Sequence, residues 1–68
     1  MQKRFGARVV AMRKLRGFTQ VNLSMRTGIS VEHISNLENG HREPCLGNMA
    51  KLAKAFGLKL DQLVKDID

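Results

Sequence analysis

Residues 19–40 read TQVNLSMRTGISVEHISNLENG. Thr19 precedes a run whose apolar side chains recur at three- and four-residue steps, and its hydroxyl can accept from the open N–H groups of a first helical turn. Gly28 supplies the left-handed backbone on which such a helix ends. Ser30 repeats the capping signal, and Asn39-Gly40 repeats the stop. The stretch therefore predicts two short capped helices, about Gln20 to Thr27 and about Val31 to Asn39, joined by a tight turn through Gly28 and Ile29. Leu23 and Thr27 in the first helix, Ile29 in the turn, and Ile34 and Leu37 in the second are the contacts that would fix the angle between them.

On the N-terminal side, Phe5, Val9, Met12 and Leu15 share one face of a helix from about Lys3 to Arg16, with the Arg and Lys residues mostly turned outward and Gly17 as the stop. Beyond Gly40, Arg42-Glu43-Pro44 makes a connector. Leu46, Met49, Leu52, Ala53 and Phe56 then mark a fourth helix ending at Gly57, and Leu60, Leu63, Val64 and Ile67 mark a short fifth one starting near Lys59 or Leu60. Gly47 and Asn48 are poor helix formers and Cys45 is a poor cap, so the first turn of the fourth helix is expected to fray. With little strand-like alternation, the predicted class is all-α, a compact bundle of about five short helices in one domain over residues 1–68. A domain of this size hides only about 60% of the surface its unfolded chain exposes, so its core must be economical.

The formal charge is +6 at pH 7, and it is unevenly spread. Lys3, Arg4, Arg8, Arg13, Lys14, Arg16 and Arg26 give the first 28 residues seven positive charges and no negative one, whereas the remaining forty carry five basic and six acidic residues. Such a balance suits an anionic polymer or surface, although charge on a small domain is often only a solvated face. The single cysteine, Cys45, cannot close an intrachain disulfide, which fits a reducing, cytoplasmic setting. No apolar run approaches the roughly 18 residues of a membrane span, and no signal-peptide pattern is present.

Two capped helices of two turns around a glycine-containing turn make a helix-turn-helix, whose second helix enters the DNA major groove. Over nearly its whole length the chain resembles the phage-repressor-like helix-turn-helix regulators of the Cro and lambda-repressor (XRE) type, which include restriction-modification controller proteins. The matching stretches are Phe5-Gly6, Met12-Arg13, Thr19-Gln20 with Leu23, Thr27-Gly28-Ile29-Ser30, Ile34-Ser35, Leu37-Glu38, Gly40, Arg42 and Pro44. They continue through Lys51 to Gly57 and Leu60-Asp61-Gln62-Leu63. The resemblance implies a lambda-repressor-like fold. Departures occur at Ser24, where the family usually has Ala and where the hydroxyl fits if it bonds back to the preceding turn, and at Cys45 and Lys59, where a helix cap is usual.

Rotation of about 100° per residue turns Glu32, Ser35 and Asn36 away from Ile34 and Leu37, with Val31 at the edge. These four are the candidate base readers: Asn36 for an adenine edge, Glu32 for a cytosine amino group, Ser35 for donor or acceptor, and Val31 for a thymine methyl. The plain alternative for this face is a solvated polar stripe. Candidate phosphate contacts are Thr19 and Gln20 at the start of the second helix, with Asn39, His41 and Arg42 at and beyond the end of the third. The family resemblance further implies an ion pair between Arg13 and Glu38.

One recognition helix covers few base pairs, so a homodimer on double-stranded DNA is expected, with half-sites about 34–36 Å apart. The resemblance places the subunit contact in the C-terminal region, about 55–68, at Phe56, Leu58, Leu60, Leu63, Val64 and Ile67. The alternative is that these residues only close the monomer core. Val21 and Met25, an i, i+4 step apart on the outer side of the second helix, are a candidate second contact patch, with simple exposure as the alternative. His41, Cys45 and His33 lack the ligand number and continuity of a structural zinc site, so no metal or other cofactor is expected. No Gly-rich phosphate loop or positioned nucleophile suggests an enzyme or a small-molecule ligand site. The leading expectation is a transcriptional regulator, a small repressor or controller acting on a short palindromic operator. The other reading is a protein-interaction module, such as an antitoxin-like partner of a small toxin.

Overall fold

Glycines with positive φ at positions 17, 28, 40 and 57 punctuate the chain. Between and beyond them the computed structural model, which describes residues 2–65, winds α1 (Gln2–Leu15), α2 (Gln20–Thr27), α3 (Val31–Glu38), α4 (Leu46–Ala55) and α5 (Leu60–Leu63). The fold is all-α, with no strand among the described residues. Phe5 and Val9 of α1, Leu23 of α2, Ile29 of the turn, Ile34 and Leu37 of α3, Leu52, Ala53 and Phe56 in and after α4, and Leu63 of α5 form one continuous buried cluster. No helix among the described residues is long and apolar enough to cross a membrane.

Helix α1 is the element shared by both halves of the fold. It packs on α3, while α2 packs against both α3 and α4, and α5 packs on α4. The α1–α3 approach requires Gly6: a Cβ there would stand 2.4 Å from the Leu37 carbonyl oxygen and 2.6 Å from that of Glu38. Bare backbone on α1 thus lies directly against the carbonyl end of α3.

Two expectations about α1 need correction. Leu15, assigned to the apolar face, is 75% exposed. Counted from Phe5 at about 100° per residue, Leu15 lies about 80° off the buried meridian, whereas Arg16 lies about 20° from it. The arginines are likewise not simply turned outward. The Arg16 Nε donates to the Phe56 carbonyl at 2.7 Å, and its guanidinium lies 5.5 Å from the Phe56 ring centroid. Arg8 donates from Nε to the Leu63 carbonyl at 3.2 Å and from Nη2 to the Gln62 carbonyl at 3.1 Å. Carbonyls at the C-terminal ends of α4 and α5, where partners within the helix run out and the dipole is negative, are thereby satisfied by Arg8 of α1 and by Arg16 just after it.

The start of α4 is regular rather than frayed. Cys45 Sγ accepts from the Asn48 N–H at 3.4 Å, and the Asn48 side chain lies 3.4 Å from His33 Nε2, so this turn is tied to α3 through Asn48. At α5, Lys59 contributes no side-chain cap; instead Gln62 Oε1 reaches back to accept from the Lys59 N–H at 2.8 Å. Ser24 also departs from expectation. Its hydroxyl donates forward to the Ile29 carbonyl across the turn, not back within α2.

Candidate nucleic-acid interface

The start of α2, the turn and the start of α3 are each fixed by the unit's own side chains. Thr19 Oγ1 accepts from the Asn22 N–H at 3.0 Å, and Asn22 Oδ1 accepts from the Thr19 N–H at 3.1 Å, a reciprocal capping box. Thr27 Oγ1 donates to the Leu23 carbonyl at 2.8 Å and accepts from the Ile29 N–H at 3.1 Å, closing the turn after α2. Ser30 Oγ accepts from the His33 N–H at 3.1 Å and starts α3. Each bond satisfies a backbone or hydroxyl group that would otherwise be left over at a helix end.

The inner side of α3 is clamped as well. Ile34 and Leu37 are buried. Beyond them, Glu38 accepts from Arg13 Nε at 2.7 Å and from Arg13 Nη2 at 3.1 Å, and the two side chains keep only 14% and 5% of their surface in solvent, for Arg13 and Glu38 respectively. Arg13 Nη1 donates in addition to the Phe18 carbonyl at 3.0 Å. A forked, charge-assisted pair of this kind sets orientation as well as attraction.

Gln20 is the third member of this cluster, which sequence reasoning missed. Its Nε2 donates to Glu38 Oε1 at 2.9 Å, so the donor assigned to a phosphate already serves the ion pair. Thr19 is exposed, but its hydroxyl is the α2 cap. Of the other phosphate candidates, Asn39, His41 and Arg42 are all exposed after α3. The Asn39 Nδ2 lies 3.5 Å from Ser35 Oγ, a long contact, and Arg42 makes no ion pair with a described residue.

The outer side of α3 presents the base-reading candidates together. Val31 is 38% exposed and Glu32 is exposed, while Ser35 and Asn36 are half-buried. Neither the Glu32 nor the Asn36 side chain is engaged by another described residue. An eight-residue helix is about 12 Å long, comparable to the width of the major groove. The helix is dry and pinned on one side and mostly polar on the other, where Glu32 and Asn36 are engaged by no other described side chain.

The C-terminal candidates divide. Phe56 and Leu63 are 2% and 0% exposed, so both are used up in the monomer core and are not available as subunit contacts. Leu58, Leu60 and Val64 are half-buried, and Ile67 lies outside the described residues. Val21 and Met25 are 56% and 80% exposed on α2. Among the described residues no group of three or more His, Cys, Asp or Glu side chains is placed to hold a metal; His33 is turned to Asn48. A cleft of about 430 Å³ between α2 and α4 is lined by Arg26, Thr27, Lys51, Lys54 and Ala55, with no carboxylate, thiol or imidazole in its wall.

Known proteins resemble this chain in sequence and in fold. The helix-turn-helix family model matches residues 9–63. The uncharacterized HTH-type transcriptional regulator y4dJ of Sinorhizobium fredii is 34% identical over 68 residues, covering 100% of this chain and 88% of that one. The immunity repressor protein of Bacillus phage phi105 is 30% identical over 59 residues, 87% of this chain and 41% of the repressor. Among solved structures, the restriction-modification controller protein C.AhdI of Aeromonas hydrophila superposes with a TM-score of 0.87 at 29% identity, over 91% of this chain and 94% of that one. The chain belongs to the helix-turn-helix family of XRE-type, phage-repressor-like proteins, and is a transcriptional regulator with a DNA-binding helix-turn-helix rather than an enzyme.

Proposed function

We propose that the protein binds a short palindromic operator as a homodimer, each α3 entering the major groove of one half-site, and that it acts as a small repressor or controller. The observation that carries this reading is the two-sidedness of α3, pinned inside by Arg13, Glu38 and Gln20 while Glu32 and Asn36 face outward with side chains that no other described residue engages. Asn36 reads an adenine edge and Glu32 a cytosine amino group, with Ser35 and Val31 completing the set. Asn39, His41 and Arg42, exposed where the chain leaves α3, hold phosphates and fix register. Gln20 acts through Glu38. The half-buried Leu58, Leu60 and Val64 supply the subunit contact, so dimerisation and operator occupancy rise together as the protein accumulates.

The test is the affinity for duplexes from the DNA upstream of the protein's own gene against scrambled duplexes of equal length; equal binding of both sets overturns the reading. On the preferred duplex, Asn36→Ala relaxes discrimination at one position by about 1–3 kcal/mol. Arg42→Ala weakens all duplexes alike and lowers the salt slope by about one.

A further inference from the structure

We propose that Arg8 is a positioning residue that fixes how far apart, and at what angle, the two recognition helices of the homodimer stand. The inference rests on the homodimer reading, with the subunit contact at Leu58, Leu60 and Val64. That contact lies in and around α5, with Leu60 in the helix and Leu58 and Val64 flanking it; α5 has only four residues, and a single turn has little rigidity of its own. Arg8 reaches it across 55 and 54 residues of sequence, with two different nitrogens on two consecutive carbonyls, those of Leu63 and Gln62. One such bond would leave α5 free to rotate about it, whereas two fix its rotation as well as its place.

From Arg8 the path to the DNA-reading surface is short. Arg8 lies two residues after Gly6, where α1 meets the Leu37 and Glu38 carbonyls, and five before Arg13, which holds Glu38. Helix α1 thus touches the recognition helix at two points and the subunit-contact helix at one. Any play in the Arg8 contact becomes play in the separation of the two copies of α3. Arg8 belongs to the basic N-terminal stretch, yet its donors are turned to protein carbonyls, so its part in DNA binding is geometric.

Cys45 provides the measurement. It is the only cysteine of the chain, is exposed, and begins the helix whose first turn is tied to α3 through Asn48 and His33. A nitroxide on Cys45 of the full chain gives one inter-subunit distance per dimer by pulsed electron paramagnetic resonance. The expected result is a single narrow distance for the wild-type side chain. The distribution should be broadened at least about twofold, or displaced, in both Arg8→Gln and Arg8→Lys, because an ammonium keeps the charge but not the fork. Lys14→Gln, which removes an equal charge from the same helix, should leave the distance unchanged.

Sedimentation and far-ultraviolet circular dichroism on the same samples establish that each variant is folded and in which state. A folded Arg8 variant that is monomeric where the wild-type chain is dimeric also supports the proposal. Should Arg8→Gln fail to fold, Arg8→Lys decides. Unaltered distance distributions in folded, dimeric Arg8 variants overturn the inference and leave the homodimer standing. A wild-type chain that sediments as a monomer and gives no inter-subunit distance overturns both.

Discussion

Helices α2 and α3 and helices α4 and α5 are two consecutive short pairs, each following a stop glycine, but they are held in opposite ways. The first pair carries its own fastenings: hydroxyl caps at Thr19 and Ser30, a turn closed by Thr27 and Ser24, and buried Leu23, Ile34 and Leu37. The second pair starts on a sulfur cap and on a lysine that contributes none, and its carbonyl ends are satisfied by Arg8 of α1 and by Arg16 just after that helix. The caps and turn of the DNA-reading pair are specified locally, although α1 also clamps α3 through Gly6 and Arg13, whereas the ends of α4 and α5 depend on side chains from the N-terminal segment.

Because α1 serves both pairs, substitutions there should have the widest consequences. Gly6→Ala forces a Cβ into two backbone oxygens and should cost about 3 kcal/mol or more. Since 1 kcal/mol shifts the melting temperature of a domain this small by roughly 4–8 °C, thermal denaturation checks it; a change within a few degrees would mean that α1 and α3 are not in such close contact.

Arg13→Ala acts on the first pair alone. It strips Glu38 of two of its three donors in a nearly dry site, and should lower stability by about 3 kcal/mol in urea denaturation. Arg16→Ala is its counterpart for the second pair. It removes one charge-assisted bond and the stacking on Phe56 and should cost about 1.5–2 kcal/mol. Amide exchange should rise in α4 and α5 and stay low in α2 and α3; uniform loss of protection would break the division between the pairs.

The smallest effect is also the most direct on the difference in caps. Exchanging them should have opposite signs: Ser30→Cys loses about 1 kcal/mol and Cys45→Ser gains about 0.5 kcal/mol, because oxygen accepts better than sulfur at a helix start. Equal effects in denaturant midpoints would remove the distinction.

What was legible in the sequence follows the same division. The bounds of α2 and α3, the caps at Thr19 and Ser30, and the apolar clamp at Leu23, Ile34 and Leu37 could be read because cause and effect lie within a few residues. The contacts of Arg8 and Arg16 could not, because their acceptors are backbone carbonyls 40 or more residues away, and a carbonyl carries no side-chain signature. Leu15 was misplaced because its three-residue step from Met12 fits helical spacing equally well, while Arg16 holds the covered meridian. Position at the start of α2 points Gln20 to a phosphate, whereas its amide reaches Glu38, eighteen residues on, a separation over which the sequence carries no pairing signal. Phe56 and Leu63 show that an apolar C-terminal run does not say which of its members the monomer needs.

The hydroxyl of Ser24 joins α2 to the residue just before Ser30 from inside the turn. An elbow latched in this way meets its duplex already bent, so association does not have to order it. The heat capacity change on complex formation should then scale with apolar area covered at the contact, without the added contribution of a segment that folds as it docks.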